Sequence, residues 1–169
     1  MFTIEPIAER HSTKGFDCGE AELNSFLSRF ALKNDSNDIG RTYVAVRPNE
    51  VEVMGYYTIS SGTVKFEQLP LELKLPKYPI PTAHMGKLAT DRSVQGQGLG
   101  EALLFDALAR VDSASREIGI RVVDLIALNE KARSFYLQYG FQELIDDPMR
   151  LYLKIETVRE ALASRDQFI

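Results

Sequence analysis

The segment VVDLIAL, residues 122–128, is a nearly continuous apolar run interrupted by one aspartate. Such a run suits a central strand buried on both faces, and a strand of that kind needs helices above and below its sheet. The flanking segments supply them. Before it, Leu99, Leu103, Ala107, Leu108, Val111, Ala114 and Ile118 recur at helical spacing, and Gly119 stands where that helix would stop. After it, Asn129 is placed as the N-cap of a helix through NEKARSFYLQY, with Gly140 as the stop. The predicted fold class is therefore α/β, a mixed central sheet flanked by helices on both faces. A length of 169 residues suits a single domain.

The other segments extend that sheet. TIEPI reads as a short strand, and Leu23, Phe26, Leu27, Phe30 and Ala31 predict a helix over about 20–33. TYVAV and VEVMGYYTISSGTV flank Arg47-Pro48-Asn49-Glu50, which predicts a hairpin. Residues 66–82 carry Pro70, Pro76, Pro79 and Pro81, a density that predicts a long irregular loop. HMGKLATD reads as a strand ending at Asp91, and the stretch from Phe141 through RLYLKI as two final strands. Residues 156–169 extend beyond a domain assigned to 1–155. Val158, Ala161 and Leu162 give this extension a short helical stripe, to dock on the domain, pack a dimer or fray.

Charge and composition narrow the function. A net charge of −4 gives the whole molecule no general attraction for nucleic acid, although a local basic face stays open. His11 and His84 lie far apart and Cys18 is the single cysteine, which argues against a metal site and leaves no internal disulfide. No stretch approaches the ~20 apolar residues of a membrane span. MFTIEPIAERHS lacks the basic start and apolar run of a signal peptide, so a cytoplasmic location is expected.

Between the strand ending at Asp91 and the long helix, Gly96, Gly98 and Gly100 remove side chains from the turn. Backbone there can press against a ligand, and the unpaired N–H groups opening a helix favour a phosphate. A merely flexible turn is the alternative. G-x-G-x-G does not fit the dinucleotide fingerprint, and no nucleotide-hydrolase G-x-x-x-x-G-K-[ST] is present.

Gln95-Gly96-Gln97-Gly98-Leu99-Gly100 does match [Q/R]-x-x-G-x-[G/A], and here the chain resembles the GNAT N-acetyltransferases. The order HMGKLATD, GLGEALLFDAL, VVDLIAL, NEKARSFYLQYGF is similar to the family's succession of strand, helix, buried strand and tyrosine-bearing helix, and the resemblance covers roughly residues 1–155. It implies a GNAT fold and acetyl-CoA as cofactor, with no metal. Backbone of Leu88 and Ala89 would pair with the pantetheine arm, one N–H polarising the thioester carbonyl. Backbone of Gln95, Gly96, Gln97, Gly98, Leu99 and Gly100 would take the pyrophosphate. Glu101 is counted with that stretch, although an acid in a first helical turn commonly serves the dipole. Asn129 stands at a position that contacts the cofactor in relatives. Tyr136 would be the catalytic acid that protonates the departing thiolate, while Phe135 and Tyr139 read as packing aromatics. No general base is evident, which favours an α-amine, since its pKa of about 8 leaves part of it neutral.

GFDCGEAELNSFL, GYYTIS and LPKYPIPTAHMGKLATDRSVQGQGLG resemble one branch, the acetyltransferase toxins of bacterial toxin–antitoxin modules. That likeness implies acetylation of aminoacyl-tRNA, neutralisation by a ribbon–helix–helix antitoxin, and a homodimer. Lys74, Lys77, Lys87 and Arg92 are the candidate tRNA contacts, with Arg29, Lys33 and Arg41 as a flank. A small amine or a protein N-terminus as acceptor, or an acyl-CoA-binding module without catalysis, are the alternatives. His11 and Cys18 read as structural.

Overall fold

The computed structural model describes residues 1–167; Phe168 and Ile169, at the end of the C-terminal extension, lie outside the described residues. In chain order the elements are β1 (Thr3–Pro6), α1 (Ala21–Arg29), α2 (Ala31–Ser36), β2 (Arg41–Val46), β3 (Gly55–Val64), β4 (Ile80–Thr90), α3 (Leu99–Ser115), β5 (Val122–Ile126), α4 (Glu130–Leu137), β6 (Gln142–Leu144), β7 (Asp147–Lys154) and α5 (Ile155–Asp166). The strands form one sheet in the order β1-β2-β3-β4-β5-β7-β6. It is mixed: β4 and β5 run parallel, while β1–β2, β2–β3, β5–β7 and β6–β7 are antiparallel. The expected α/β architecture is present.

Contacts gather the chain into two compact units, residues 1–60 with 86–107 and residues 61–85 with 108–169. In the first, neighbouring residues of β3 show why helices cover both faces. Successive strand residues point to opposite sides. The Tyr56 hydroxyl accordingly donates to the Leu23 carbonyl of α1 at 2.8 Å, while the Tyr57 hydroxyl donates to Asp106 of α3 at 2.6 Å. Gly55 permits the close approach of α3, since a Cβ there would fall 2.9 Å from Leu103 Cδ1 and 3.2 Å from the Ala89 carbonyl. Val44, Val46, Tyr56, Leu27 and Ala31 close one core. In the second unit Val64, Leu69, Ile80, Val122, Leu144 and Tyr152 close another.

Several expected boundaries move, each for a local reason. The predicted helix over 20–33 is two helices, broken at Phe30, whose φ of −125° is not helical. The Ser28 hydroxyl donates back to the Asn24 carbonyl at 3.2 Å just before the break, a bond that bends helices. The turn after β2 exists, with the Glu50 N–H donating to the Arg47 carbonyl. The return strand, however, starts only at Gly55, because Ser12 exchanges backbone bonds with Val51 and Val53. The proline-rich stretch is not wholly irregular. Phe66–Gln68 and Leu71–Leu73 are single 3-10 turns, and β4 begins at Ile80, four residues before the expected start. Pro81 is tolerated near the strand's beginning and still accepts from the Arg121 N–H at 2.9 Å. The long helix ends at Ser115, so Ile118 lies past it and is exposed. In α5, Val158 is fully buried and Arg159 reaches Asp112 and the Ser115 hydroxyl of α3, each at 3.1 Å.

Candidate active site

The turn between β4 and α3 is fastened at both ends by apolar anchors. Val94 and Leu99 are buried, while Gln95, Gly96, Gln97 and Gly98 between them are exposed. Gly96 and Gly98 have φ values of +80° and +84°, a conformation that side chains resist. Crowding is not the reason for glycine here, since a Cβ on either would meet nothing within 4 Å. The Ala102 N–H donates to the Gly98 carbonyl at 3.1 Å, so the helix begins directly on the glycine turn, and the N-terminus of a helix favours an anion. That opening suits a pyrophosphate.

The turn is braced from behind by the loop before α1. Asp91 accepts from the Ser93 N–H at 3.0 Å, the Ser93 hydroxyl at 2.7 Å and the Asp17 N–H at 2.9 Å. Burial opposes its charge, but these donors outweigh it and hold the carboxyl below the usual aspartate range. Asp17 is lowered as well, by the Gly19 N–H first and then by the Asn24 amide. The Gln95 side chain is part of this brace, donating to the carbonyls of Cys18 and Thr90. Its amide therefore serves the loop. The sequence reading missed this use of GFDCGEAELN as a support, although its Gly-Asp-Asn content is loop chemistry.

Along β4, Leu88 is half-buried and Ala89 buried. The Asp91 N–H bonds to the Met54 carbonyl beside β3, at 2.8 Å. The Pro81 carbonyl, by contrast, faces the other neighbour and accepts from the Arg121 N–H that precedes β5, so the regular alternation of backbone groups is broken along β4.

In the second unit, Asn129 caps α4, its Oδ1 accepting from the Ala132 N–H at 2.9 Å. Tyr136 is buried between Phe135 and Phe141, in edge-to-face contacts at 5.2 and 5.4 Å, and its hydroxyl points at Met85 Sδ, 4.0 Å away. Burial pushes the hydroxyl well above the ordinary tyrosine range, because the phenolate would be desolvated there. Phe135 also packs on Tyr139.

The candidate tRNA contacts differ in kind. Lys74 and Lys77 are exposed on the loop before β4. Lys87 is half-buried with its Nζ 4.1 Å above the Phe26 ring, and Arg92 lies 3.6 Å from Asp17. Of the flank, Arg41 is taken up by Asp35 and Asp38. His11 is structural: its Nδ1 accepts from the Ala8 N–H and its Nε2 meets Glu5. Cys18 is half-buried, with burial raising its thiol. One group of residues went unnoticed in the sequence. His84 Nδ1 lies 3.1 Å from Asp124 Oδ2, with Thr82 on the same strand face. The signal was the lone aspartate in VVDLIAL, since a carboxylate in a buried strand requires a partner. Among the described residues no cluster of His, Cys, Asp and Glu could hold a metal.

Residues 38–143 match the acetyltransferase (GNAT) domain. The chain is similar to a tRNA-acetylating toxin of Mycobacterium tuberculosis, 34% identical over 155 residues that span 90% of this chain and 92% of that one. Among solved structures it is similar to AtaT complexed with acetyl-methionyl-tRNAfMet, with a TM-score of 0.88 and 35% identity over 95% of this chain and 98% of the other. It is also similar to a Tyr-to-Phe mutant of the AtaT toxin bound to the C-terminus of the antitoxin AtaR and acetyl-CoA, with a TM-score of 0.83 and 32% identity over 96% and 99% of the two chains.

Proposed function

We propose, for a chain that belongs to the GNAT acetyltransferase family, that it transfers acetyl from acetyl-CoA to the α-amine of an aminoacyl-tRNA and acts as a toxin that blocks translation. The single observation that carries this reading is the glycine turn opening α3, exposed, positive in φ and free of overhanging atoms, in a chain similar to tRNA-acetylating toxins along nearly its whole length. The residues present fit acetyl-CoA. Backbone from Gln95 to Glu101 would hold its pyrophosphate, and the Leu88 N–H would polarise the thioester carbonyl. When bound, acetyl-CoA supplies an activated acetyl group and a thiol leaving group.

The chain's own residues orient the donor, keep water out and move one proton. Tyr136 holds that proton, since a tyrosine hydroxyl is neutral at cellular pH and burial here disfavours the phenolate further. Asn129 acts first as the cap that fixes α4 and so the place of Tyr136. Lys74, Lys77, Lys87 and Arg92 are the proposed contacts to tRNA phosphates. A ribbon–helix–helix antitoxin, a homodimeric state and a cytoplasmic location complete the reading, supported by the likeness to toxins of antitoxin-paired systems.

The test offers labelled acetyl-CoA and aminoacylated bulk tRNA to wild type and to Tyr136→Phe, with deacylated tRNA as control. Label on charged tRNA alone, largely lost in the variant, is expected. Label absent from tRNA but present on a small amine or a protein N-terminus would move the acceptor. Binding without transfer to any acceptor would leave only an acyl-CoA-binding module.

A further inference from the structure

The acetyl-transfer reading accounts for the proton given to the leaving sulfur but not for the proton taken from the amine. We infer that His84 accepts the proton of the attacking amine, held in place by Asp124 at the last paired position of β4 and β5. The inference rests on the acetyltransferase reading above.

Three observations converge on this pair. First, it is polar where apolar residues would be more stable. Asp124 is 3% exposed in a strand paired on both sides, and Thr82 is also 3% exposed. Asp124 Oδ1 and Thr82 Oγ1 are buried without a hydrogen-bond partner among the described residues. Each such atom is costly to bury, a burden that a purely structural strand would shed by carrying valine.

Second, the neighbouring strand leaves room for the ring. β3 meets the pair at Gly62, where a Cβ would fall 2.9 Å from Thr82 Oγ1 and 3.3 Å from His84 Cβ. The imidazole is partly open, with 31% of its side chain exposed. Asp124 engages Nδ1, so Nδ1 carries the hydrogen and Nε2 presents its lone pair outward. A carboxylate that orients an imidazole also stabilises the imidazolium that forms when Nε2 takes a proton. Around the ring, β5 contributes the Asp124 carboxylate and β3 a glycine. Tyr152 of β7, across from Asp124, is neutral and turns its hydroxyl to Gln142.

Third, the pair lies where the two parallel strands part. β4 and β5 pair at Thr82↔Val122, Ala83↔Val123 and His84↔Asp124, and among the described residues the ladder goes no further. The next residue of β4 is Met85, which the Tyr136 hydroxyl faces. Adjacent strand residues serve opposite faces. Tyr136 thus stands on one side of the fork and His84 on the other. Acyl transfer requires this division, a donor for the departing sulfur and an acceptor for the entering nitrogen.

The step balances as follows. The ammonium gives one proton to His84 Nε2, and the nitrogen lone pair forms the C–N bond to the acetyl carbon. The C–S bond breaks, the sulfur keeping its electron pair and receiving the Tyr136 proton. The second proton lost by nitrogen and the one held by His84 both pass to solvent, which reprotonates Tyr136, so one proton is released for each amide formed.

The experiment compares wild type with His84→Gln, which keeps a donor toward Asp124, and with His84→Ala. Acetyl transfer to aminoacyl-tRNA is followed from pH 6 to 8.5, with acetyl-CoA affinity and melting temperature measured alongside. With an α-amine pKa of about 8, loss of the base lowers the rate about tenfold or more at pH 6.5–7, and the deficit shrinks to about threefold by pH 8.5. Affinity for acetyl-CoA stays unchanged in both variants. A glutamine variant as active as wild type at every pH would make the role structural and overturn the inference. A wild type that binds acetyl-CoA yet acetylates no amine would overturn the reading beneath it instead. A second measurement needs no turnover: diethyl pyrocarbonate modifies an accessible, unprotonated imidazole nitrogen. It should label His84 and spare His11, whose side chain is fully buried with both nitrogens engaged. An unlabelled His84 would show that Nε2 is closed to solvent and end the proposal.

Discussion

At the scale of single residues, the question is which polar atoms the structure holds without satisfying them. Among the described residues, the Tyr136 hydroxyl has only a sulfur at 4.0 Å, a weak acceptor. Tyr136→Phe should therefore leave stability within about 1 kcal/mol of wild type. Transfer to aminoacyl-tRNA should fall about 10²-fold, the scale of a lost general acid. Thermal melting and single-turnover rates would separate the two effects. The same burial makes a prediction about alkali. Tyr136 and Tyr56 both titrate above their ordinary value in the folded chain, for each because burial disfavours the phenolate. Below about pH 10, the unfolded value, neither state ionises and stability is flat. Above it the unfolded chain loses protons first, so stability falls as pH rises toward the folded value. Urea titrations from pH 8 to 11.5 should show that slope, and Tyr136→Phe should reduce it. The tyrosine was legible in the sequence through its place before Gly140-Phe141. His84 was not, because an isolated histidine in a strand carries no sign of the carboxylate forty residues away that orients it.

At the scale of elements, the turn from β4 into α3 is braced by hydrogen bonds to the loop before α1. Gly96→Ala or Gly98→Ala introduces no clash, only a left-handed residue, at about 1–2 kcal/mol each. Gly55→Ala, by contrast, drives a Cβ against Leu103 and a carbonyl and should destabilise through overpacking. Calorimetry with acetyl-CoA should find binding weakened by the first two more than their small stability loss explains. Asp91→Ala removes the cap on Ser93 and the tie to Asp17, and about 1–2 kcal/mol with them. Because Asp91 and Asp17 titrate below the ordinary carboxylate, their contribution is complete at neutral pH. It fades as pH drops through and beneath the value of 3.8, and the alanine variant should show less of that acid loss. The glycines, the cap at Asn129 and the stop at Gly140, whose φ is +90°, could be read from the sequence because each is local chemistry. The break at Phe30, the pairing of Ser12 with residues 51–53 and the early start of β4 could not. Each depends on a partner distant in sequence or on a side chain bonding back to its own helix.

At the scale of the whole molecule, the sheet followed from periodicity, since VVDLIAL demanded covering helices and the chain supplies them. The surface is less easily read, because a chain of net charge −4 is proposed to hold a polyanion. Charge count alone would forbid strong attraction, and several cations are already occupied. Arg41 answers Asp35 and Asp38, Arg92 answers Asp17, and Lys87 rests on Phe26. Lys74 and Lys77 remain exposed on the loop before β4. Each phosphate contact contributes about 0.7–0.9 to the slope of log affinity against log salt. Two lysines thus predict a slope near −2, and full engagement of Lys87 and Arg92 would bring it to about −3 to −4. The slope is measured from tRNA affinity in about 50 to 300 mM KCl. Lys74→Ala and Lys77→Ala should each lower it by just under one while leaving acetyl-CoA affinity alone. Reversal of both charges should weaken tRNA binding far more at low salt than at high, because it removes attraction that screening would otherwise hide. A slope near zero in the wild type would mean that the acceptor is recognised through its aminoacyl end and not its backbone. The low net charge would then reflect how this protein selects its substrate.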